Sequence, residues 1–578
     1  MSDKSGERLR VIASDGVRLA VRTRGRSAAD APTVVCVHGY PDNGSLWDGV
    51  AAELEDRYRV VVYDVRGAGE SDKPKRKQDY RLDQLAADLA AVVDAVSPDA
   101  KVHLLAHDWG AIQTWHAVTG GALRGRIASY TSISGPSLDH AGAWFRSLLR
   151  PSPRALGTLL YQALHSWYIG FFHLPLIPEL AWRSGIMRRV IGRLDPAEKG
   201  AATADGVHGL QLYRANIGSR LGSPATAGTE IPVQVLAPAG DAFVSTPMQT
   251  EIGRWVRDLR VRIIPGTHWV ARSRPHVVAN AAAELIDHAE GGAETRGLRR
   301  TRVGATGRFA GHLVVVTGAG SGIGRATALA FAGHGADLVL TDIDPDGRAE
   351  TARLADELGA RVAQYTVDSS DGAAVHAFAA DVRDTLGVPD IVVNNAGIGI
   401  SGSFLDTGEA DWQRVIDVNL WGVIHGCRAF APMLVERGEG GHIVNIASAA
   451  AFLPSRMLPA YATTKSAVLT LSECLRAELA EERIGVSAIC PGIVRTNITA
   501  TTRFVGVSEE EEKSKRRRAS GLYARRGFGP EKVAADLLRA VERDVAVQPS
   551  TPEAKTALVL SRLTPGLLRA AAKRNIGL

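Results

Sequence analysis

The feature that most constrains this chain is where its glycine-rich turn falls. Leu313-Val314-Val315-Val316 is a short apolar run, and it breaks at once into Thr317-Gly318-Ala319-Gly320-Ser321-Gly322-Ile323-Gly324. A helical pattern follows, then a second apolar run that ends at Asp342. Strand, glycine turn, helix and strand make one βαβ unit. Its turn lets backbone approach a pyrophosphate, and the helix N-terminus supplies free N–H groups and a favourable dipole. Asp342, 18 residues beyond Gly324, is placed for the hydroxyls of an adenosine ribose. A dinucleotide domain begins near its glycine turn, yet more than 300 residues precede this one. A complete first domain is therefore expected ahead of it.

That first domain reads as a parallel sheet. Val11 to Arg24 alternates around Asp15-Gly16 as a hairpin. Thr33 to Val37, Arg59 to Tyr63 and Lys101 to Ala106 are apolar strands, with an amphipathic helix at Leu82 to Val96. The last of these strands runs into Ala106-His107-Asp108-Trp109-Gly110 and directly into a helix. Small residues flanking a central nucleophile are what a strained strand-to-helix elbow needs. The central residue is aspartate, which can attack a carbon in a strained ring or one bearing a leaving group, forming an ester. An aspartate there could also simply cap the helix. Asp241 follows the strand Val233 to Ala237, and His268 follows the strand Val261 to Ile264. Both lie at strand ends, where such sheets place catalytic groups, in the order nucleophile, acid, histidine. In this reading Asp108 attacks, His268 activates water and Asp241 orients His268. Backbone N–H groups of Tyr40 and Trp109 form an oxyanion hole.

With His38-Gly39-Tyr40-Pro41, Val65-Arg66-Gly67-Ala68-Gly69-Glu70-Ser71-Asp72, the Asp108 elbow and Gly266-Thr267-His268-Trp269 in place, residues 8–288 resemble an α/β-hydrolase of the epoxide hydrolase group. The resemblance implies a helical cap over the site at about 137–222. It also implies two cap tyrosines that hold and protonate an epoxide oxygen, matched here by Tyr168 and Tyr213. Haloalkane dehalogenases usually carry asparagine where this chain has Tyr40. Fluoroacetate dehalogenases usually carry arginine where it has Trp109. Both departures favour an epoxide.

Residues 289–308 show no apolar periodicity and read as an exposed linker. Beyond Asp342, Arg361 to Val367 is a strand ending at Asp368, an adenine contact. Ile391-Val392-Val393 leads into Asn394-Asn395-Ala396-Gly397 beside the cofactor. Asn419 falls in a helical segment, and the strand His442 to Ile446 ends near Ser448. Tyr461 and Lys465 share one helix face, where an ammonium would favour the phenolate over a phenol that titrates near pH ~10. Ser448 would hold the substrate oxygen while Tyr461 exchanges its proton, and Pro491, Gly492 and Thr496 form a last cofactor loop. In family order and spacing, these motifs make residues 309–578 resemble a short-chain dehydrogenase/reductase. The resemblance implies a Rossmann fold, a nicotinamide cofactor, an oligomer and a variable substrate loop at Thr499 to Gly527, whose charge run reads as solvated. Asp342 argues for NAD over NADP, because its carboxylate would repel a 2′-phosphate. The same pairing of domains occurs in actinobacterial, notably mycobacterial, fusion proteins that this chain resembles along its whole length.

Composition sets the remaining expectations. Net charge is +6, carried partly by arginines at 296, 299, 300, 302 and 308 and by Lys515 to Arg518. No recognition motif accompanies them, so nucleic acid is not expected, while contact with an anionic lipid surface is compatible. Cys36, Cys427, Cys474 and Cys490 sit in apolar patterns without metal-ligand spacing and read as core thiols of a reducing compartment, with no metal. The first ten residues lack the apolar core of a signal peptide, and no 18-residue apolar window exists, so a cytoplasmic chain is expected, with membrane contact at most peripheral. The expected whole is an α/β chain with two enzymes, an epoxide hydrolase for a lipid-like substrate and an NAD-dependent alcohol or ketone oxidoreductase. Two alternatives stay open. The hydrolase fold could be a lipid-binding or docking module beside an active dehydrogenase, or the whole chain could be a membrane-surface scaffold.

Overall fold

The computed structural model describes residues 6–572 apart from 28, 150, 151, 199, 200, 223 and 226. The chain forms two compact units, residues 1–304 and 305–578. In the first, eight strands form one sheet: β1 (Arg8–Ile12), β2 (Arg18–Gly25), β3 (Thr33–Val37), β4 (Arg59–Tyr63), β5 (Val102–His107), β6 (Ile127–Ile133), β7 (Val233–Pro238) and β8 (Leu259–Ile264). Their order is β1-β2-β4-β3-β5-β6-β7-β8. The hairpin β1–β2 and the β2–β4 pair are antiparallel, and β3 to β8 are parallel neighbours. Strands β3, β5 and β7 are buried along their full length because helices cover both faces, which is why they read as unbroken apolar runs rather than alternating ones. Between β6 and β7 the expected cap is present and all helical, from Leu138–Leu148 through Pro153–His165, Trp167–Phe172, Ile177–Arg183 and Ile186–Leu194 to Thr203–Gly222.

The segment read as an exposed linker, within which the two units divide, is partly ordered. The helix Pro275–Ala289 closes the sheet, and a short helix Arg296–Thr301 follows, capped by the Thr295 hydroxyl accepting from Leu298 N. Leu298 is fully buried, and Arg302 bridges to Arg260 of β8. One leucine and one capping threonine suffice to dock a turn of helix, too little for any periodicity to register. Arg296, Arg299 and Arg300, expected to be solvated, are half-buried there.

In the second unit the strands are β9 (Leu313–Thr317), β10 (Asp337–Thr341), β11 (Val362–Tyr365), β12 (Ile391–Asn394), β13 (Ile400–Ser401), β14 (Gly441–Ile446), β15 (Ile484–Cys490), β16 (Arg503–Phe504) and β17 (Val547–Pro549). Seven of them form a parallel sheet in the order β11-β10-β9-β12-β14-β15-β17. The order reverses between β9 and β12. At that switch point the glycine turn after β9 and the Asn395 turn after β12 face one crevice, the position where doubly wound sheets bind ligands. Two expectations fail here. Residues 509–526 form a helix rather than a loop, although their charge run is largely exposed as expected, because four glutamates at its N-terminus meet the dipole and pair one turn on, Glu509 with Lys513 and Glu512 with Arg516. Cys474 is exposed on its helix, while Cys36, Cys427 and Cys490 are buried. A periodic pattern fixes a stripe, and Cys474 lies just outside it.

Two candidate active sites

At the end of β5 the backbone of Asp108 takes φ 51°, ψ −124°, a strained setting for a residue with a Cβ. Gly110 shows what the elbow demands, since a Cβ there would stand 2.3 Å from the Val37 carbonyl oxygen. The Asp108 side chain caps nothing in its own helix. Instead Tyr40 N donates to its Oδ1 at 2.7 Å, and Trp109 N points toward the same carboxylate. The two expected oxyanion donors therefore converge on this one group. The opposite oxygen, Oδ2, faces His268 Nε2 at 3.7 Å. His268 Nδ1 meets Asp241 at 3.0 and 3.1 Å, and Asp241 in turn accepts from Phe243 N and Val244 N at 2.8 and 3.0 Å.

All three side chains are buried, and their charges set one another. Burial pushes Asp108 up to about 6, with His268 and the two backbone donors drawing it partway back. Burial pulls His268 down, but the Asp241 and Asp108 carboxylates outweigh it and hold the imidazole at about 9. Burial would raise Asp241, yet His268 and the backbone donors keep it below the usual carboxylate range. Above them stand the two cap tyrosines. Tyr213 packs edge-on against Tyr40 and Trp109, with ring centroids 5.3 and 4.9 Å apart. Tyr168 packs edge-on against Tyr213 and Phe243, with ring centroids 6.0 and 5.6 Å apart. Burial and the nearby Asp108 charge raise both phenols, so each stays a proton donor. The space enclosed between Asp108, His268, the tyrosines and the apolar cap wall is about 30 Å³.

In the second unit the glycine turn has the shape of a phosphate cradle. The N-cap Ser321 makes no side-chain bond to its helix, which leaves the first-turn N–H groups open. A Cβ on Gly324 would stand 2.0 Å from the Gly318 carbonyl oxygen, so only glycine closes this turn. Ile323 packs into the core beneath it, and Thr496 lies over Gly322. Asp342 is tied down at the end of β10, accepting Gly320 N at 2.7 Å and Asp344 N at 2.9 Å. Asp368 is exposed and accepts Ser370 N. Asn395 donates to the Thr317 and Gly318 carbonyls at 2.9 and 3.0 Å, and Ala396 N donates to Thr317 Oγ1 at 3.0 Å, locking the turn that leads to Gly397. These residues fit a dinucleotide lying across the switch point.

The expected polar quartet gathers at the floor of the same crevice. Asn419 sits in a π-helical turn, Asp417–Trp421, and its side chain exchanges hydrogen bonds with the backbone of Ile398 at 2.8 and 2.9 Å. A Cβ on Gly397 would lie 3.2 Å from Asn419 Oδ1 and 3.6 Å from Lys465 Nζ, which puts all three at one point. Ser448 lies beside the Tyr461 phenol, and its hydroxyl reaches the Pro491 carbonyl at 3.4 Å. Lys465 donates to the Ile446 carbonyl at 2.8 Å and lies 5.9 Å from the Tyr461 ring centroid. Here the electrostatics differ from the expectation. Burial pushes the Tyr461 phenol up to about 12, with only Ser448 opposing it, and burial brings Lys465 down to about 8. The ammonium is engaged with a carbonyl rather than with the phenol.

Comparison with known proteins agrees with both halves. A family described as "alpha/beta hydrolase fold" matches residues 32–272, and one described as "short chain dehydrogenase" matches residues 312–504. The Mycobacterium tuberculosis protein named "Probable oxidoreductase EphD" is 42% identical over 584 residues, covering 98% of each chain. The chain belongs to this family of fused α/β-hydrolase and short-chain dehydrogenase proteins. The M. tuberculosis "Putative oxidoreductase SadH" is 38% identical over 259 residues, 44% of this chain and 91% of its own. Among solved structures, a short-chain dehydrogenase/reductase from Burkholderia phymatum in complex with NAD matches with TM-score 0.42 and 31% identity, over 47% of this chain and 98% of that one.

Within this fused architecture, several groups that hold the sites in place were not singled out from the sequence. Asp42 is buried and accepts from Trp269 Nε1 at 2.6 Å and Arg272 at 2.8 Å, fixing the loop that carries His268. Asp195 of the cap accepts Trp269 N at 3.2 Å, and Trp182 donates to the Tyr40 hydroxyl at 2.6 Å. In the dehydrogenase half, Glu553 accepts Ile493 N at 2.8 Å and braces the Pro491-Gly492 loop. A buried acid beside a motif, such as Asp42 after Tyr40-Pro41, was the one available signal.

Proposed function

We propose that the first unit hydrolyses an epoxide to a vicinal diol through an ester on Asp108, and that the second moves hydride between NAD and an alcohol or ketone. The observation that carries the first assignment is the split of the Asp108 carboxylate. One oxygen is held by Tyr40 N, and the other is free toward the cavity beside His268. The free oxygen attacks a ring carbon, the carbon–oxygen bond breaks, and the departing oxygen takes a proton from Tyr213 or Tyr168. Esterification removes the Asp108 charge that helped raise His268, so the imidazolium gives its proton back toward the tyrosine phenolate. The neutral imidazole then takes a proton from water, whose oxygen adds to the ester carbonyl. The resulting oxyanion falls where Tyr40 N and Trp109 N already point. Collapse breaks the bond between the ester carbonyl carbon and the substrate oxygen, which takes the proton from His268 and leaves as the diol; the new Asp108 acid passes its proton to His268 and is again a carboxylate. The apolar cap wall supports a lipid-like substrate.

For the second unit, the glycine turn, Asp342 and the Asn395 turn would hold the dinucleotide, and the bound nicotinamide supplies hydride exchange and, when oxidised, positive charge. Ser448 holds the substrate oxygen, and Tyr461 gives or takes its proton. The fixed Asp342 carboxylate supports NAD over NADP. A ketone-forming dehydrogenase beside a diol-forming hydrolase suggests a relay in which one diol hydroxyl is oxidised.

The test is epoxide consumption by the full chain over a panel from styrene oxide to long-chain fatty epoxides, beside Asp108→Asn, with NAD added afterwards. Diol formation that requires Asp108, followed by NADH, supports both assignments and the relay. No epoxide turnover, with alcohols still reducing NAD, would reduce the first unit to a lipid-gripping module.

A further inference from the structure

The cap carries an unusual outer surface. Among the described residues, twelve of the 26 exposed large apolar side chains fall between Leu149 and Leu194. On the helix Pro153–His165, Leu156, Leu160 and Leu164 recur every fourth residue at 69%, 63% and 67% exposure, a stripe turned to solvent rather than to the core. Trp167, 57% exposed, follows directly. On the helix Ile186–Leu194, Met187 and Ile191 are buried, while Leu194 is 45% exposed. Trp167, Val190 and Leu194 also line the cavity that contains Asp108 and His268. Trp167 and Leu194 therefore belong both to the exposed apolar surface and to the wall of the catalytic cavity.

The charges beside it have one sign. Arg183, Arg188, Arg189 and Arg193 are exposed. The only acid between Leu149 and Leu194 is Glu179, and it is already paired with Arg214 at 2.6 Å. Arg189 and Arg193 lie one helical turn apart, each next to a residue of the cavity mouth, Val190 and Leu194. A patch of this size on a chain surface marks an interaction site. Apolar side chains beside exposed arginines, of which Arg183 lies near an acid, Glu179, suit an interface of acyl chains and phosphates. A second copy meeting the same face about a two-fold axis would set these arginines against their own copies. We propose that this face of the cap docks on an anionic lipid bilayer, with Trp167 and Leu194 at the membrane-facing mouth of the hydrolase cavity. Docking does not depend on the reaction; entry of a lipid substrate through that mouth rests on the epoxide reading above.

The experiment is co-sedimentation of the full chain with phosphatidylcholine vesicles and with mixed phosphatidylcholine–phosphatidylglycerol vesicles, at low and high salt. The expected result is binding to the anionic vesicles that weakens with salt. It should also weaken by about tenfold or more in Leu156→Glu/Leu160→Glu and in Arg188→Glu/Arg189→Glu. These positions are exposed, so circular dichroism and NAD-linked turnover should stay as in the parent chain. Absence of anionic vesicle binding, or binding unchanged in both variants, would overturn the proposal. So would an oligomer that Leu156→Glu/Leu160→Glu dissociates while the parent ignores vesicles. Epoxide turnover measured without vesicles separates failure of docking from failure of the hydrolase reading.

Discussion

In the first unit the chain itself carries every charge the chemistry needs. Asp241 holds His268 as an imidazolium, His268 and two backbone N–H groups steady Asp108, and two raised phenols stand ready to donate. In the second unit the reactive phenol is left in its unreactive form, pushed up to about 12, and its lysine is turned to a carbonyl. The difference lies in what each site binds. A hydrolase meets only substrate and water, so its electrostatics must be complete beforehand. A nicotinamide enzyme shares its site with a cofactor that brings its own charge and ribose hydroxyls, and protein alone need not stabilise the phenolate.

The largest effects should come from cutting each site separately. Asp108→Asn should lower epoxide turnover by about a thousandfold or more, and Tyr461→Phe should do the same to hydride transfer. Steady-state assays of both reactions on each variant check this, and a cross-effect of either substitution would break the independence of the two sites. Next, Tyr213→Phe and Tyr168→Phe should each reduce kcat/KM for epoxide by about a hundredfold, with the double variant worse than either. Equal activity in both single variants and the parent would remove the tyrosines from the mechanism.

The pH dependence sharpens the contrast. Asp108 must be ionised to attack, and its acid form is held up to about 6, so kcat/KM for epoxide should rise through that pH. It should then stay level past 9, because burial keeps both tyrosines protonated. Alcohol oxidation needs the phenolate of a group raised above its ordinary value, so its rate should still climb above pH 9, most steeply at low NAD. A flat oxidation profile at low NAD would show that Lys465 alone activates Tyr461. The smallest effect is structural. Leu298→Ala should destabilise the first unit by about 2–3 kcal/mol without altering NAD kinetics. Denaturant unfolding followed by tryptophan emission reads this directly, since eight of the ten tryptophans lie before residue 305.

Both folds, and the places where the proposed reacting groups gather, were legible because they depend on local grammar. Parallel strands announce themselves as apolar runs, and elbows and cradles need small residues at fixed spacing. Asp108, His268, Ser448 and Tyr461 each sit at an element boundary that such grammar marks. What escaped depends on tertiary partners. The helix Arg296–Thr301 rests on one buried leucine, and Asp42, Asp195 and Glu553 matter only through backbones and side chains far along the chain. The Tyr461–Lys465 spacing places the two side chains together but not their electrostatics, because burial outweighs an ammonium that donates its hydrogen bond to the Ile446 carbonyl.

The central claim is that Asp108 becomes covalently bound to substrate. His268→Gln removes the base that clears the ester while leaving the nucleophile in place. Intact-mass measurement of that variant after brief exposure to styrene oxide should show a species heavier by one epoxide, mapping to the peptide that contains Asp108. An unmodified chain, under conditions where the parent protein consumes the epoxide, would contradict the account.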